Sequence, residues 1–272
     1  MTLFEAVVLG IVQGLTEFLP ISSDGHLALT YKLFGDAPNL SFEVFLHGAT
    51  LIAMFWYFRH DVIELLSSLL PKNSHRAADR KLVAFIMLAT AISAVIALAL
   101  GPYLEGFSEN MVVVALGFYV TTILLVVAEA LTHGEARVPS PDRLGVWPVA
   151  LIAVFQGIAA LPGVSRSGST IAGSMIFGLK RDQAARFSFL LGIPIITLAA
   201  AKDGFDVIQG ASTLPGTLPV LAAGFLAAGL SGYLAIWGTL RFVKNHPLYW
   251  FAAYTGVLGT VILVLNSTLG RG

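Results

Sequence analysis

Apolar residues in this chain come in long blocks separated by short polar turns. A helix that crosses a bilayer needs roughly 20 mostly apolar residues. Blocks at 40–58, 82–101, 111–131, 218–240 and 248–267 meet that length, and a sixth at 185–201 is shorter and contains Pro194. Two further stretches do not read as single spans. Residues 2–19 and 147–161 each end at Leu-Pro and a polar turn, then resume as short apolar pieces at 27–34 and 171–179. This pattern predicts two re-entrant helix hairpins, 2–34 and 147–179, that dip into the membrane and return on the same side. Irregular backbone at such depth survives only where protein or water satisfies its polar groups.

The two hairpin turns resemble each other. The first reads Gln13-Gly14-Leu15-Thr16-Glu17-Phe18-Leu19-Pro20-Ile21-Ser22-Ser23-Asp24-Gly25-His26 and the second Gln156-Gly157-Ile158-Ala159-Ala160-Leu161-Pro162-Gly163-Val164-Ser165-Arg166-Ser167-Gly168-Ser169. Three spans follow each hairpin. Three is odd, so the second repeat sits upside down relative to the first, an arrangement that places a site near the midplane where the repeats meet. The expected fold is an all-α integral membrane protein with six transmembrane helices, two re-entrant hairpins and an inverted-topology repeat. Repeat 1 covers residues 1–131 and repeat 2 covers 147–267, within one membrane domain.

Charge sets the orientation. Loop 59–81 carries Arg59, Lys72, Arg76, Arg80 and Lys81; loop 132–146 carries Arg137 and Arg143; the exit of the second hairpin carries Lys180, Arg181 and Arg186; and loop 241–247 carries Arg241 and Lys244. The other side has Lys32, Lys202 and Arg271, and loop 102–110 has Glu105 and Glu109 but no base. The basic side is therefore read as cytoplasmic, with both termini outside. Composition agrees: of 272 residues, 56% are hydrophobic and 12% charged, against about 25% charged in soluble domains. The formal net charge is zero, which gives no basic surface for nucleic acid. The absence of Cys excludes disulfides, thiolate metal sites and Cys nucleophiles. The first Lys or Arg is Lys32, so the N-terminus lacks the basic segment of a secretory signal.

The polar groups of the two turns suggest chemistry on an anion. Ser165, Arg166, Ser167, Gly168, Ser169 and Thr170 open an apolar helix, and free N–H groups at a helix start favour phosphate. Arg166 adds a planar charged fork. The alternative is a capped helix start whose Arg reaches an interface. On the first turn, Gln13 and Glu17 share a helix face, with Ser22, Ser23 and His26 beyond Pro20. Opposite Arg166 these suggest hydrolysis or transfer at phosphorus. Ser23 or His26 is the candidate nucleophile, and Glu17 or His26 the acid or base. Gln13 and Glu17 are also candidates to hold a hard divalent cation; a structural Glu17–Arg166 ion pair is the plain alternative. Glu43 and His47, four apart, read as a hydrogen-bonded pair or as support for the site. Glu129, Asp203 and Asp206 read as solvated. Gly224, Gly229, Gly232 and Gly238 suit close helix packing. The aromatic runs 55–58 and 249–251 read as interfacial belts.

These motifs resemble those of bacterial undecaprenyl-diphosphate phosphatases of the BacA type. Gln13 to His26 is similar to that family's [E/Q]-x-x-x-E motif and Ser/His turn, and Pro162 to Thr170 to its Arg motif; Phe42-Glu43-Val44 and Phe187 to Pro194 are also similar. The resemblance covers essentially the whole chain. It implies a multi-pass enzyme of the bacterial cytoplasmic (inner) membrane that converts undecaprenyl diphosphate to undecaprenyl phosphate and inorganic phosphate. That product is the lipid carrier for peptidoglycan and envelope glycans. The resemblance further implies resistance to bacitracin, which sequesters the diphosphate, a site open to the periplasm, and dependence on a divalent cation, Mg2+ or Ca2+. Carried over by position, Glu17, Ser23, His26 and Arg166 match the functional residues. Gln13 replaces a carboxylate, and Asp24 stands where Thr or Ser is frequent. The residues leave oligomeric state open, a homodimer included. The rival class is a transporter or flippase for undecaprenyl phosphate, since inverted repeats around a midplane site also build transporters.

Overall fold

The computed structural model describes residues 1–71, 76–133, 135–210 and 214–269; Lys72, Arg271 and the side chains of Glu105 and Asp203 lie outside that description. Among the described residues the chain is helical throughout, with no strand. In chain order the helices are α1 (Leu3–Phe18), α2 (Ser23–Phe34), α3 (Leu40–Tyr57), α4 (Arg59–Ser68), α5 (Ala77–Glu109), α6 (Met111–Thr132), α7 (Val146–Ile158), α8 (Arg166–Ile176), α9 (Arg181–Ile208), α10 (Leu218–Asn245) and α11 (Tyr249–Leu269). Six of them, α3, α5, α6, α9, α10 and α11, are long and apolar enough to cross a membrane. The four helices flanking the polar turns, α1, α2, α7 and α8, run to 16, 12, 13 and 11 residues. Each is shorter than a crossing needs.

Several boundaries differ from the apolar pattern. The helix expected over 82–101 continues through Pro102 to Glu109. Proline removes one N–H but keeps a φ compatible with a helix. The outer loop expected at 102–110 thus shrinks to a corner at Asn110, whose side chain accepts from Val112 N at 3.0 Å and caps α6. Part of loop 59–81 is the amphipathic helix α4. The helix expected at 185–201 extends over Arg181–Ile208 with Pro194 inside it.

Small residues let the short helices approach the long ones closely. Gly10 and Gly14 of α1 lie on Gly224, Ala228 and Gly232 of α10, and a methyl added at Gly14 would collide with Ser231 Oγ and Ala228 O. Of the four α10 glycines expected to pack, Gly224 and Gly232 meet α1. Gly229 lies by Ala49 of α3, and Gly238 faces open space. The remaining pairings include α7 on α5, α11 on α6 and α9 on α3. Phe18, Phe58 and Phe189 join α1, the start of α4 and α9, with Phe18 edge-on to Phe189 at 5.5 Å.

Glu129 corrects the expectation of a solvated carboxylate. It is 2% exposed. It accepts a two-pronged bond from Arg181, with Nε to Oε2 at 2.9 Å, and a further bond from Leu248 N at 3.0 Å. The helix end is polar, but α9 and α11 close over it. All four tryptophans, Trp56, Trp147, Trp237 and Trp250, are exposed and lie at the basic end of the bundle. Trp56 and Trp237 each carry an arginine, Arg59 and Arg241, over the ring.

Candidate active site

Glu17 is the hub. It ends α1, where Gln13 one turn earlier donates Nε2 to Oε2 at 3.1 Å. Pro20 and Ile21 turn the chain. Ser22 then takes a left-handed backbone, φ 71°, which costs a non-glycine residue of order 1–3 kcal/mol. In that conformation Ser22 caps α2 by accepting from Gly25 N. Ser23 becomes the first residue of α2, and its Oγ donates to Glu17 Oε2 at 2.7 Å.

The second turn brings the counter-charge. Ser165 caps α8 by accepting from Gly168 N at 3.0 Å, and its own N–H bonds Thr121 Oγ1 of α6 at 2.8 Å. Arg166 opens α8 and donates Nη2 to Glu17 Oε1 at 2.5 Å. Its Nη1 rests 3.4 Å from Ser188 O, and Gly192 of α9 leaves room for the guanidinium, since a methyl there would overlap it. Ser167 Oγ donates to Leu19 O at 2.9 Å, stitching the second turn to the first. Residues 149 positions apart are thus in direct contact.

These groups line a cavity of about 260 Å³. Glu17, Ser23, Asp24, Glu43, His47, Ser165, Arg166 and Ser167 form its polar wall, with Ser93 and Gln156 at a second polar patch. Leu40, Val44, Ala97, Leu104, Ile195, Ile196 and Ala199 supply an apolar wall. Ser23 and Arg166 are first residues of their helices, so two helix N-termini, each carrying partial positive charge, meet at one space.

The predicted residues do not all arrive there. Ser22, Gly168, Ser169 and Thr170 lie behind the wall: Thr170 Oγ1 bonds Arg166 O and Ser188 Oγ, and Gly168 packs on Ser165 and Pro20. Ser169 Oγ is buried with no partner among the described residues. His26 also lies outside the lining, against Phe118 and Tyr254. The imidazole at the cavity is His47, with Nε2 at 3.3 Å from Glu17 and 3.7 Å from Asp24. Glu43 and His47 do share a face, but His47 Nδ1 bonds the backbone carbonyl of Glu43 at 2.8 Å and not its side chain. The i,i+4 spacing of these two on an otherwise apolar helix was the available signal. Asp24 and Gln156 stood inside the motifs themselves.

The Gln13–Glu17 pair does not fit a divalent cation as it stands. Hard cations want several oxygen ligands, yet Gln13 turns its amide N–H toward the carboxylate, and its Oε1, buried without a partner among the described residues, is the one oxygen the pair leaves free. The Glu17 oxygens already face Arg166, Ser23 and His47.

An all-helical chain with six helices long and apolar enough to span a membrane, and a serine, a carboxylate and an arginine converging on one cavity among them, defines a class: a multi-pass membrane protein with an enclosed polar site. Comparison with known proteins narrows this. The family model of the bacitracin resistance protein BacA matches residues 6–261, and the chain belongs to that family. It is 36% identical to an undecaprenyl-diphosphatase of Alkaliphilus metalliredigens over 98% of this chain and 99% of that one. It is 34% identical to undecaprenyl-diphosphatase 1 of Shouchella clausii over 100% and 99%. It is 37% identical to the undecaprenyl-diphosphatase of Christiangramia forsetii over 97% and 98%.

Proposed function

We propose that this chain hydrolyses undecaprenyl diphosphate to undecaprenyl phosphate and inorganic phosphate. Such an activity regenerates the carrier for peptidoglycan and envelope glycans and lowers sensitivity to bacitracin. The observation that carries this reading is the Arg166–Glu17–Ser23 chain of bonds at the starts of two helices. Arg166 and the helix ends bind the diphosphate. Glu17 takes the Ser23 Oγ proton as Oγ attacks the terminal phosphorus; the bridging P–O bond breaks, and undecaprenyl phosphate leaves. Water then hydrolyses the phosphoserine and releases phosphate. His47, against Glu17, is placed to relay the proton. The apolar wall suits the first isoprene units.

Were Mg2+ or Ca2+ to serve the reaction, as the resemblance implies, Asp24 is the carboxylate on the cavity wall that would hold it, and the ion would offset the diphosphate charge. The cavity reaches Leu40, Leu104 and Ser108, at the ends of α3 and α5 remote from the basic loops. This supports an opening to the periplasmic side of the inner membrane. The pairing of α1 on α10 with α7 on α5, and of α3 on α9 with α6 on α11, supports two inverted repeats with re-entrant hairpins.

The test is phosphate release from undecaprenyl diphosphate by purified protein in detergent, without any gradient. Release at a rate that falls at least 10²-fold in Ser23→Ala is expected. Binding of the monophosphate lipid with no release at all would transfer the reading to a flippase.

A further inference from the structure

Resting on that reading, we propose that His26 is a positioning residue: its Nδ1–H holds the Ser22 carbonyl and thereby aims Ser23 at Glu17, and Tyr254 of α11 holds His26 in turn. His26 Nδ1 is 2.6 Å from Ser22 O. A carbonyl oxygen only accepts, so the ring proton belongs on Nδ1. In the neutral ring Nε2 is then the acceptor, and Tyr254 Oη donates to it at 2.8 Å. The two rings are parallel to within 5°, with centroids 5.6 Å apart. Phe118 packs edge-on against the imidazole at 5.4 Å.

Both ring nitrogens are therefore committed away from the cavity. What they hold is the one strained link of the first turn. Ser22 is a non-glycine residue at φ 71°, immediately before the residue whose Oγ bonds Glu17. Its carbonyl also meets the His26 backbone N–H at 3.4 Å, a weak bond that would not fix the turn alone. The line Tyr254, His26, Ser22, Ser23 runs from a membrane-spanning helix of the second repeat to the hydroxyl of the first.

Side chains that keep one nitrogen of the ring and lose the other separate the possibilities. An Asn amide N–H reproduces Nδ1, and a Gln amide reproduces Nε2. In full-length protein eluting as the parent does, His26→Asn is expected to keep kcat within about tenfold with KM unchanged. His26→Gln should lose about 10²-fold in kcat, the cost of a misplaced reacting group. Tyr254→Phe should lower kcat about fivefold at constant KM, and should have no further effect in the His26→Asn background. Nitrogen-15 NMR of labelled histidine should find His26 protonated at Nδ1 in the parent and redistributed between its nitrogens in Tyr254→Phe. Activity in His26→Gln with loss in His26→Asn would overturn the proposal, and so would equal loss in both. A parent that releases no phosphate yet holds His26 at Nδ1–H would sink the hydrolase reading and leave the clamp standing.

Discussion

Among the described residues two buried Glu–Arg pairs stand out, Glu17–Arg166 and Glu129–Arg181, and only one has the surroundings of a reactive site. Both join residues far apart in sequence. Both carboxylates are nearly inaccessible, at 6% and 2%. The difference lies in their other partners. Glu129 is held by a bidentate arginine and a backbone N–H, groups that fix three helix ends together and have nothing to exchange. Glu17 is held by a guanidinium, a hydroxyl, an amide and an imidazole, all on side chains, beside a cavity. Ionisable groups within a membrane protein are functional-site candidates, and the cavity and exchangeable side-chain partners single out Glu17–Arg166.

The largest expected effect separates the pairs by activity. Arg166→Ala should lower phosphate release by at least 10²-fold, since it removes the charge that binds the substrate and stabilises the transferring phosphoryl group. Arg181→Ala should leave kcat of the folded fraction within a few fold. It leaves Glu129 buried and uncompensated, which costs about 3–5 kcal/mol of stability. Turnover and thermal denaturation measured on both variants check this. If Arg181→Ala stayed as stable as the parent while losing activity, the contrast would be gone.

Much of this was legible in the residues. The Leu-Pro breaks at Pro20 and Pro162 located both turns, and Glu17 and Arg166, read there as facing each other, are in contact. The roles of the two histidines were not legible. His26 and His47 both lie on helices, and which of them reaches the cavity depends on packing: His47 lines it, while His26 meets Phe118 of α6 and Tyr254 of α11. Glu129 misled for a related reason. Its partner Arg181 reads as part of a hairpin exit, and burial there depends on α9 and α11 packing over the end of α6. The run of donors Ser165 to Thr170 reads as a cradle because hydroxyl identity is visible in sequence. The caps and cross-links that occupy Ser165, Ser167 and Thr170 belong to tertiary structure.

A smaller effect tests whether the second pair is replaceable. Exchanging a buried ion pair for apolar side chains of similar volume is often neutral or stabilising by about 1–4 kcal/mol. Glu129→Met with Arg181→Met should therefore fold and turn over near the parent rate, with only the Leu248 N–H bond lost. Glu17→Met with Arg166→Met should fold and release no phosphate. Denaturation midpoints and phosphate release on the two double variants read this directly. Inactivity in both would assign the Glu129 pair a part in catalysis that its surroundings do not suggest.

The smallest effect concerns access, since the pairs should face opposite sides of the membrane. The chain has no cysteine, so a single introduced thiol reports its own compartment. Ser108 lines the same cavity as the first pair, and His133 is exposed where its carbonyl meets Arg181. In intact cells, Ser108→Cys should react with a membrane-impermeant maleimide, and His133→Cys should react only after the membrane is opened. The orientation rests on the excess of Lys and Arg in the loops at one end of the bundle. Labelling of His133→Cys in intact cells with protection of Ser108→Cys would invert the protein. The cavity would then meet the diphosphate from the cytoplasmic face, with Glu17 and Arg166 unchanged in their chemistry but reached from the other side.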